Sequence, residues 1–82
     1  MKILVSVSVP SLSEAFDVLV PDFVEIGRII PLMVSAVEEL TNHAYVTSGQ
    51  ELLCLKEQNL LLRRDATLSA YGVKNGDHLL LF

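Results

Sequence analysis

Tryptophan is absent, aromatic residues make up 6% of the chain, and Cys54 is the one cysteine among 82 residues. A lone thiol closes no internal disulfide and supplies no cysteine-based zinc or iron–sulfur site within one chain. It gives no sign of an oxidising compartment either. Bases are also scarce: six Lys and Arg stand against ten Asp and Glu, giving net charge −4 and a pI near 4.9. An acidic chain with scattered bases lacks the electrostatic footprint of a nucleic-acid binder. In the middle of the chain, the uncharged run from Ile29 to Val37 covers nine residues. A membrane-spanning helix needs about 20, so direct membrane insertion is not expected. The opening Met1-Lys2-Ile3-Leu4-Val5-Ser6-Val7 alternates with serine and meets Pro10 before any small-residue cleavage site, unlike a secretory leader. These absences point to a soluble, cytoplasmic protein.

What the chain has is apolar residues. They form 51% of it, the mean hydropathy is +0.49, and charged residues reach only 20%, against roughly 25% in an average soluble domain. At 82 residues and 9.0 kDa the whole chain, 1–82, reads as a single domain. A domain of this size buries only roughly 60% of its unfolded surface, so its stability is small. The apolar content is nonetheless enough for a core without metal or disulfide, with some left over for a partner.

The pattern changes period along the chain. Ile3, Val5, Val7 and Val9 alternate with Leu4, Ser6 and Ser8, the period of two of a half-buried strand. Pro10 to Ser13 is turn chemistry, and Phe16, Val18 and Val20 continue the alternation, so a β-hairpin is expected. Phe23, Ile26, Ile30, Met33, Val37 and Leu40 then fall at spacings of three and four, an amphipathic helix. Asp22 is placed as its N-cap and Glu25 as the third-position partner of a capping box. Pro31 lies inside this helix and should either kink it near residues 27–31, with Gly27 giving way beneath the ring, or restart its first turn at Pro31. Thr41 to Gln50 reads as a polar loop. Strands follow at 51–56 and 60–62, then a charged connection at 63–67 and a helical turn from Leu68 closed by Gly72. An Asn75-Gly76 turn leads into a last strand from His78 to Phe82. The expected order is β-β-α-β-β-β with Ile3, Val5, Val7, Phe16, Val18, Ile26, Ile30, Met33, Val37, Leu68 and Leu79 in the core.

No catalytic constellation stands out. His43 and His78 share no metal-ligand spacing, and His43 reads as a solvated loop residue. Cys54 lies between Leu53 and Leu55 with no adjacent base, the setting of an inert buried thiol. Glu38-Glu39 and Arg63-Arg64 read as solvated charges, and no glycine pattern cradles a phosphate. Neither cofactor nor metal is expected, and the chain reads as no enzyme.

The stretch Thr67 to Asp77, TLSAYGVKNGD, followed at once by HLLLF, resembles the end of the ubiquitin fold. The hairpin and the helix begun at Pro21-Asp22-Phe23-Val24-Glu25-Ile26 match too, so the resemblance spans essentially the whole chain. Among ubiquitin-like proteins the chain is most similar to the small EsaB/YukD family of bacterial type VII (WXG100/ESX) secretion systems, on Leu68, Tyr71 and Asn75-Gly76-Asp77. The resemblance implies an α+β class, a ubiquitin-like β-grasp whose mixed sheet packs on one helix. It implies a cytoplasmic accessory or regulatory component that binds proteins of the secretion system. Sulfur carriers and modifiers of this fold end in a Gly-Gly tail. This sequence has no glycine after Gly76, so that alternative is disfavoured; a cytoplasmic domain of a secretion membrane component is the other.

The partner surface is expected from strand alternation. If Leu79 and Leu81 face the helix, Leu80 and Phe82 face away. The neighbouring strand carries apolar residues on both parities, so Leu53, Leu55, Leu80 and Phe82 are the candidate partner-binding residues, for a secretion component or a second copy of the chain.

Overall fold

A computed structural model describes residues 1–82. Strand β1 (Lys2–Val9) and strand β2 (Glu14–Pro21) form a hairpin. Helix α1 (Ile26–Leu40) follows, then β3 (Leu53–Leu55), β4 (Leu60–Leu61) and β5 (His78–Leu81). The five strands make one sheet in the order β2-β1-β5-β3-β4, antiparallel throughout except for the parallel β1–β5 pair. This is the β-grasp arrangement, in the expected element order.

The sheet packs one face on α1. Ile3, Val5, Val7 and Val9 of β1 are buried together with Ile26, Ile29, Ile30, Met33, Val34 and Val37 of the helix. Of the residues expected in the core, ten are buried. Phe16 is only half-buried, because β2 is the outermost strand and nothing flanks it there. Phe23 and Leu40, counted in the helical stripe, are exposed. Phe23 precedes the first helical residue, and Leu40 is the last.

The helix start differs from expectation. Glu25, not Asp22, occupies the N-cap position, and no side chain caps it. Asp22 is held instead by the chain's amino group, 3.2 Å from its Oδ1. The first amide groups find backbone partners: Ile26 N–H donates to the Ala66 carbonyl (2.8 Å) and Gly27 N–H to that of Arg64 (2.9 Å). A tertiary strap thereby does what a cap does elsewhere.

Pro31 lies within α1, which runs as one helix through it. The missing hydrogen bond and ring clash cost about 3 kcal/mol. Six buried apolar residues on the same helix each contribute about 1.5–3 kcal/mol, so packing wins. Gly27 has a second reason to be glycine: a Cβ there would lie 3.3 Å from the Arg64 carbonyl oxygen.

The long connection after α1 is not merely a polar loop. Thr41 Oγ1 donates to the Val37 carbonyl (2.7 Å) and accepts from Tyr45 N–H (3.2 Å), closing the helix end. Further on, the helical turn Ser69–Tyr71 ends at Gly72 in the left-handed region (φ 71°), and the Asn75 side chain accepts from Leu4 N–H at 2.7 Å. That contact ties the last turn to the first hairpin.

Candidate protein-binding face

Register decides which leucines reach solvent. Leu79 and Leu81 of β5 are fully buried, so Leu80 and Phe82 turn to the outer face, where Leu80 is half-buried and Phe82 is 52% exposed. Directly across, Leu53 pairs with Leu81 and Leu55 with Leu79. Opposed residues share a face of the sheet. Leu53 (1% exposed) and Leu55 (5%) therefore point into the core, and they drop out of the candidate surface. Their neighbours take the outward places. Cys54 lies between Leu80 and Leu61, and Leu52 exchanges both backbone hydrogen bonds with Phe82 (2.6 and 3.0 Å).

The outer face thus carries two apolar rows, Phe82 beside Leu52 and Leu80-Cys54-Leu61. Leu52, Leu61 and Phe82 are exposed, while Cys54 is shielded by its neighbours. Next along, Lys56 N–H donates to the His78 carbonyl, which places a polar row beside the apolar ones. His78 Nδ1 is 4.0 Å from Glu57 Oε1, an exposed pair that attracts only when the imidazole is protonated. A shallow cavity of about 370 Å³ opens at the other end of the Leu80 row, lined by Pro10, Ala15, Glu14, Lys56 and Leu80 among others. The geometry offers a side chain of a partner an apolar floor with a base and an acid at the rim.

A second polar cluster supports this face from behind. Glu51, only 4% exposed, sits one residue before Leu52. Its Oε2 accepts from Tyr45 Oη (2.8 Å), Thr47 Oγ1 (2.5 Å) and Ser48 N–H (3.0 Å). Burial works to raise the carboxyl's pKa, but the hydrogen bonds from Thr47 and Tyr45 and from the backbone prevail, and it lies below the ordinary glutamate value. Tyr45 is pushed up to about 12 by burial, then by its hydrogen bond to Glu51 and by the charges of Glu51 and Glu38. The cluster pins the loop against the start of β3. Sequence reading missed it, because a carboxylate folding back on its own loop leaves no periodic trace.

The other residues singled out in the sequence stay apart. His43 follows the helix with a positive φ of 66°, and its N–H donates to the Glu38 carbonyl (2.7 Å). Arg63 is bound bidentately to Asp65 (3.0 and 2.8 Å), and that bond holds the Asp65 carboxyl below its usual range. No three His, Cys, Asp or Glu side chains are gathered as a metal site, and no helix is long and apolar enough to cross a membrane.

The chain matches, over residues 4–81, the family described as WXG100 protein secretion system (Wss), protein YukD. No curated protein matches it. Among solved structures it is similar to the EccD5 ubiquitin-like domain from Mycobacterium xenopi, with TM-score 0.82 and 19% identity over 100% of this chain and 93% of that one. It is similar also to the ubiquitin-like domain of the Mycobacterium tuberculosis type VII secretion system protein EccD1 (TM-score 0.78, 18% identity, 99% and 97% covered). The UBL domain of Plasmodium falciparum Dsk2 shares the fold at TM-score 0.66 and 20% identity, both chains fully covered.

Proposed function

Because the chain belongs to the YukD family of the WXG100, or type VII, secretion system, we propose that it is a non-catalytic accessory or regulatory component that acts in the cytoplasm by binding protein. The observation that carries this reading is the outer sheet face. Leu52, Leu61 and Phe82 are exposed beside half-buried Leu80, on the uncovered side of a sheet packed on one face only, where polar residues normally stand. Contiguous apolar surface of this kind marks interaction sites on soluble proteins. The occupant proposed is another protein of the secretion system, with a second copy of the chain as the competing partner.

Replacing Leu80 by Ser and Phe82 by Lys should leave the fold intact and abolish capture of secretion components by the tagged protein, together with any dimer seen in light scattering. Capture and mass unchanged in a folded variant would remove this face from the mechanism. A second reading, a ubiquitin-like domain within a larger secretion component, is favoured by the likeness to the EccD1 and EccD5 domains. The mass of the polypeptide in cells, read by immunoblot, separates the two.

A further inference from the structure

The edge of the sheet opposite β4 is open. β2 is the outermost strand, and its eight residues pair with β1 in unbroken register, with no bulge. Soluble proteins usually blunt such edges with lysines, bulges or short length. Here there is no lysine and no bulge; Glu14 and Asp17 put acidic charge on the strand and Pro21 closes its end. The direction of the free backbone groups follows from the ladder. Asp22 N–H donates to the Met1 carbonyl, and Leu4 and Ser6 bond instead towards the β5 side. In an antiparallel pair the bonded residues alternate. Even-numbered residues of β2 therefore bond to β1, and the N–H and C=O groups of Ala15, Asp17 and Leu19 point out of the sheet.

Beside this edge runs an apolar flank. Leu32 and Leu40 of α1 are 55% and 59% exposed, with Ala36 half-buried between them at the same four-residue spacing. At the far end a cavity of about 340 Å³ is lined by Leu12, Glu14, Leu40, Thr41, Asn42 and Ala44. Half-buried Phe16 and Leu12 border the core here. The charge around it is one-sided. Between residues 14 and 50 there are six carboxylates and a single base, Arg28, while the other five bases lie elsewhere in the chain. Of the six acids, Asp22 is paired with the amino terminus, which leaves Glu14, Asp17 and Glu39 among those facing solvent.

We propose that β2 and the adjoining flank of α1 form a second docking site, which takes an extended segment of another protein with alternating apolar residues and lysine or arginine at its ends. The segment adds a sixth strand through the free groups of Ala15, Asp17 and Leu19. Its inward side chains lie against Phe16 and the Leu32-Ala36-Leu40 flank. Its basic ends meet the carboxylates. The site runs along the β2 edge, whereas Leu80 and Phe82 stand on the outer face of the central strand β5, and the two surfaces meet at the cavity that Glu14 and Ala15 share with Leu80.

The test is an amide NMR titration of the full chain with three synthetic peptides: Lys-Thr-Val-Thr-Val-Thr-Val-Arg-Lys, the same core with glutamates at the ends, and the basic ends on a Gly-Ser core. The basic Val-Thr peptide should shift the amides of residues 15–19 and slow their hydrogen exchange, and its glutamate twin should bind about 10-fold more weakly. The Gly-Ser peptide should leave exchange at these positions unchanged. Leu19→Pro removes an outward N–H that the sheet does not use, so it should abolish binding while the amide spectrum stays dispersed. If that variant unfolds, Glu14→Lys combined with Glu39→Lys serves instead, and should reverse the preference between the two Val-Thr peptides. The proposal fails if the basic peptide shifts nothing at about 1 mM, or if it perturbs Leu80 and Phe82 rather than β2. It fails equally if the β2 amides broaden with protein concentration alone, which would assign the edge to a second copy.

Discussion

Replacing Glu51 by Gln isolates the charge in the cluster behind the binding face. The amide keeps the size and one acceptor of the carboxylate, so the three donors on Oε2 retain a partner. What is lost is the charge. A hydrogen bond to a charged group contributes about 1.5–3 kcal/mol and a neutral one about 0.5–1.5. Three bonds share one oxygen and do not add, so the substitution should cost about 2 kcal/mol in all. For a domain of this size each kcal/mol moves Tm by roughly 4–8 °C, so a fall of about 8–16 °C is expected in calorimetry. The pH dependence has a definite sign. Glu51 titrates lower in the folded protein than its ordinary value of 4.5, so between those two values the unfolded chain binds more protons, and stability rises with pH. The contribution is fully present above the unfolded value and disappears as pH falls through the folded one. Tyr45 behaves in the opposite sense. Its folded value, about 12 against an ordinary 10.0, leaves a contribution intact below pH 10 that is lost as pH climbs towards 12. Glu51→Gln should flatten the acid limb of wild-type stability and bring the Tyr45 titration, followed by ultraviolet absorbance, closer to its ordinary value. A Tm within about 2 °C of wild type, with an unchanged acid limb, would show that the cluster does not hold the loop.

Gly27→Val should lower the denaturation midpoint by an amount equivalent to about 2–3 kcal/mol, because its Cβ would stand 3.3 Å from the Arg64 carbonyl; an unchanged urea midpoint would contradict that close approach. Pro31→Ala returns an amide donor to the interior of α1 and should stabilise the protein by about 1–3 kcal/mol, so a lower Tm would mean that the ring makes packing contacts worth more than the hydrogen bond. Cys54 is shielded on the outer face, and its reaction with a disulfide reagent should follow the unfolding rate; immediate labelling of the native protein would show that the Leu80-Cys54-Leu61 row opens.

How far the sequence could be read depended on the range of the interaction. The hairpin and the helix were legible because each writes its own period, and eight of the ten core residues placed correctly lie on those two stripes, with Leu68 and Leu79 outside them. The strand Leu53–Leu55 was a different case. Leucines occupy both parities of 52–55 and again of 60–62, so periodicity carries no information about which face they take. Only the pairing with Leu79 and Leu81 turns Leu53 and Leu55 inward. The helix start failed for a similar reason. Asp22 and Glu25 have the local grammar of a capping box, but a strap from Arg64 and Ala66, some forty residues on, satisfies the first amides, and nothing near Asp22 announces it. Strand pairing and strap are long-range facts, and local patterns are blind to them.

The place of β5 governs when the molecule can form. This strand lies at the centre of the sheet, bonded to β1 on one side and β3 on the other, yet it spans residues 78–81 of the chain. Until residues 78–81 have left the ribosome, the hairpin and α1 carry a row of unsatisfied backbone groups along β1, and the β3–β4 pair has nothing to dock on. No partial order of synthesis closes the gap. The pieces meet only when the chain returns to its own beginning, across a loop of some seventy residues, which makes the closing step slow for so small a domain. Until then the nascent chain shows sticky β1 and β3 edges to its surroundings, and their protection rests on the speed of that last step or on whatever else occupies them first.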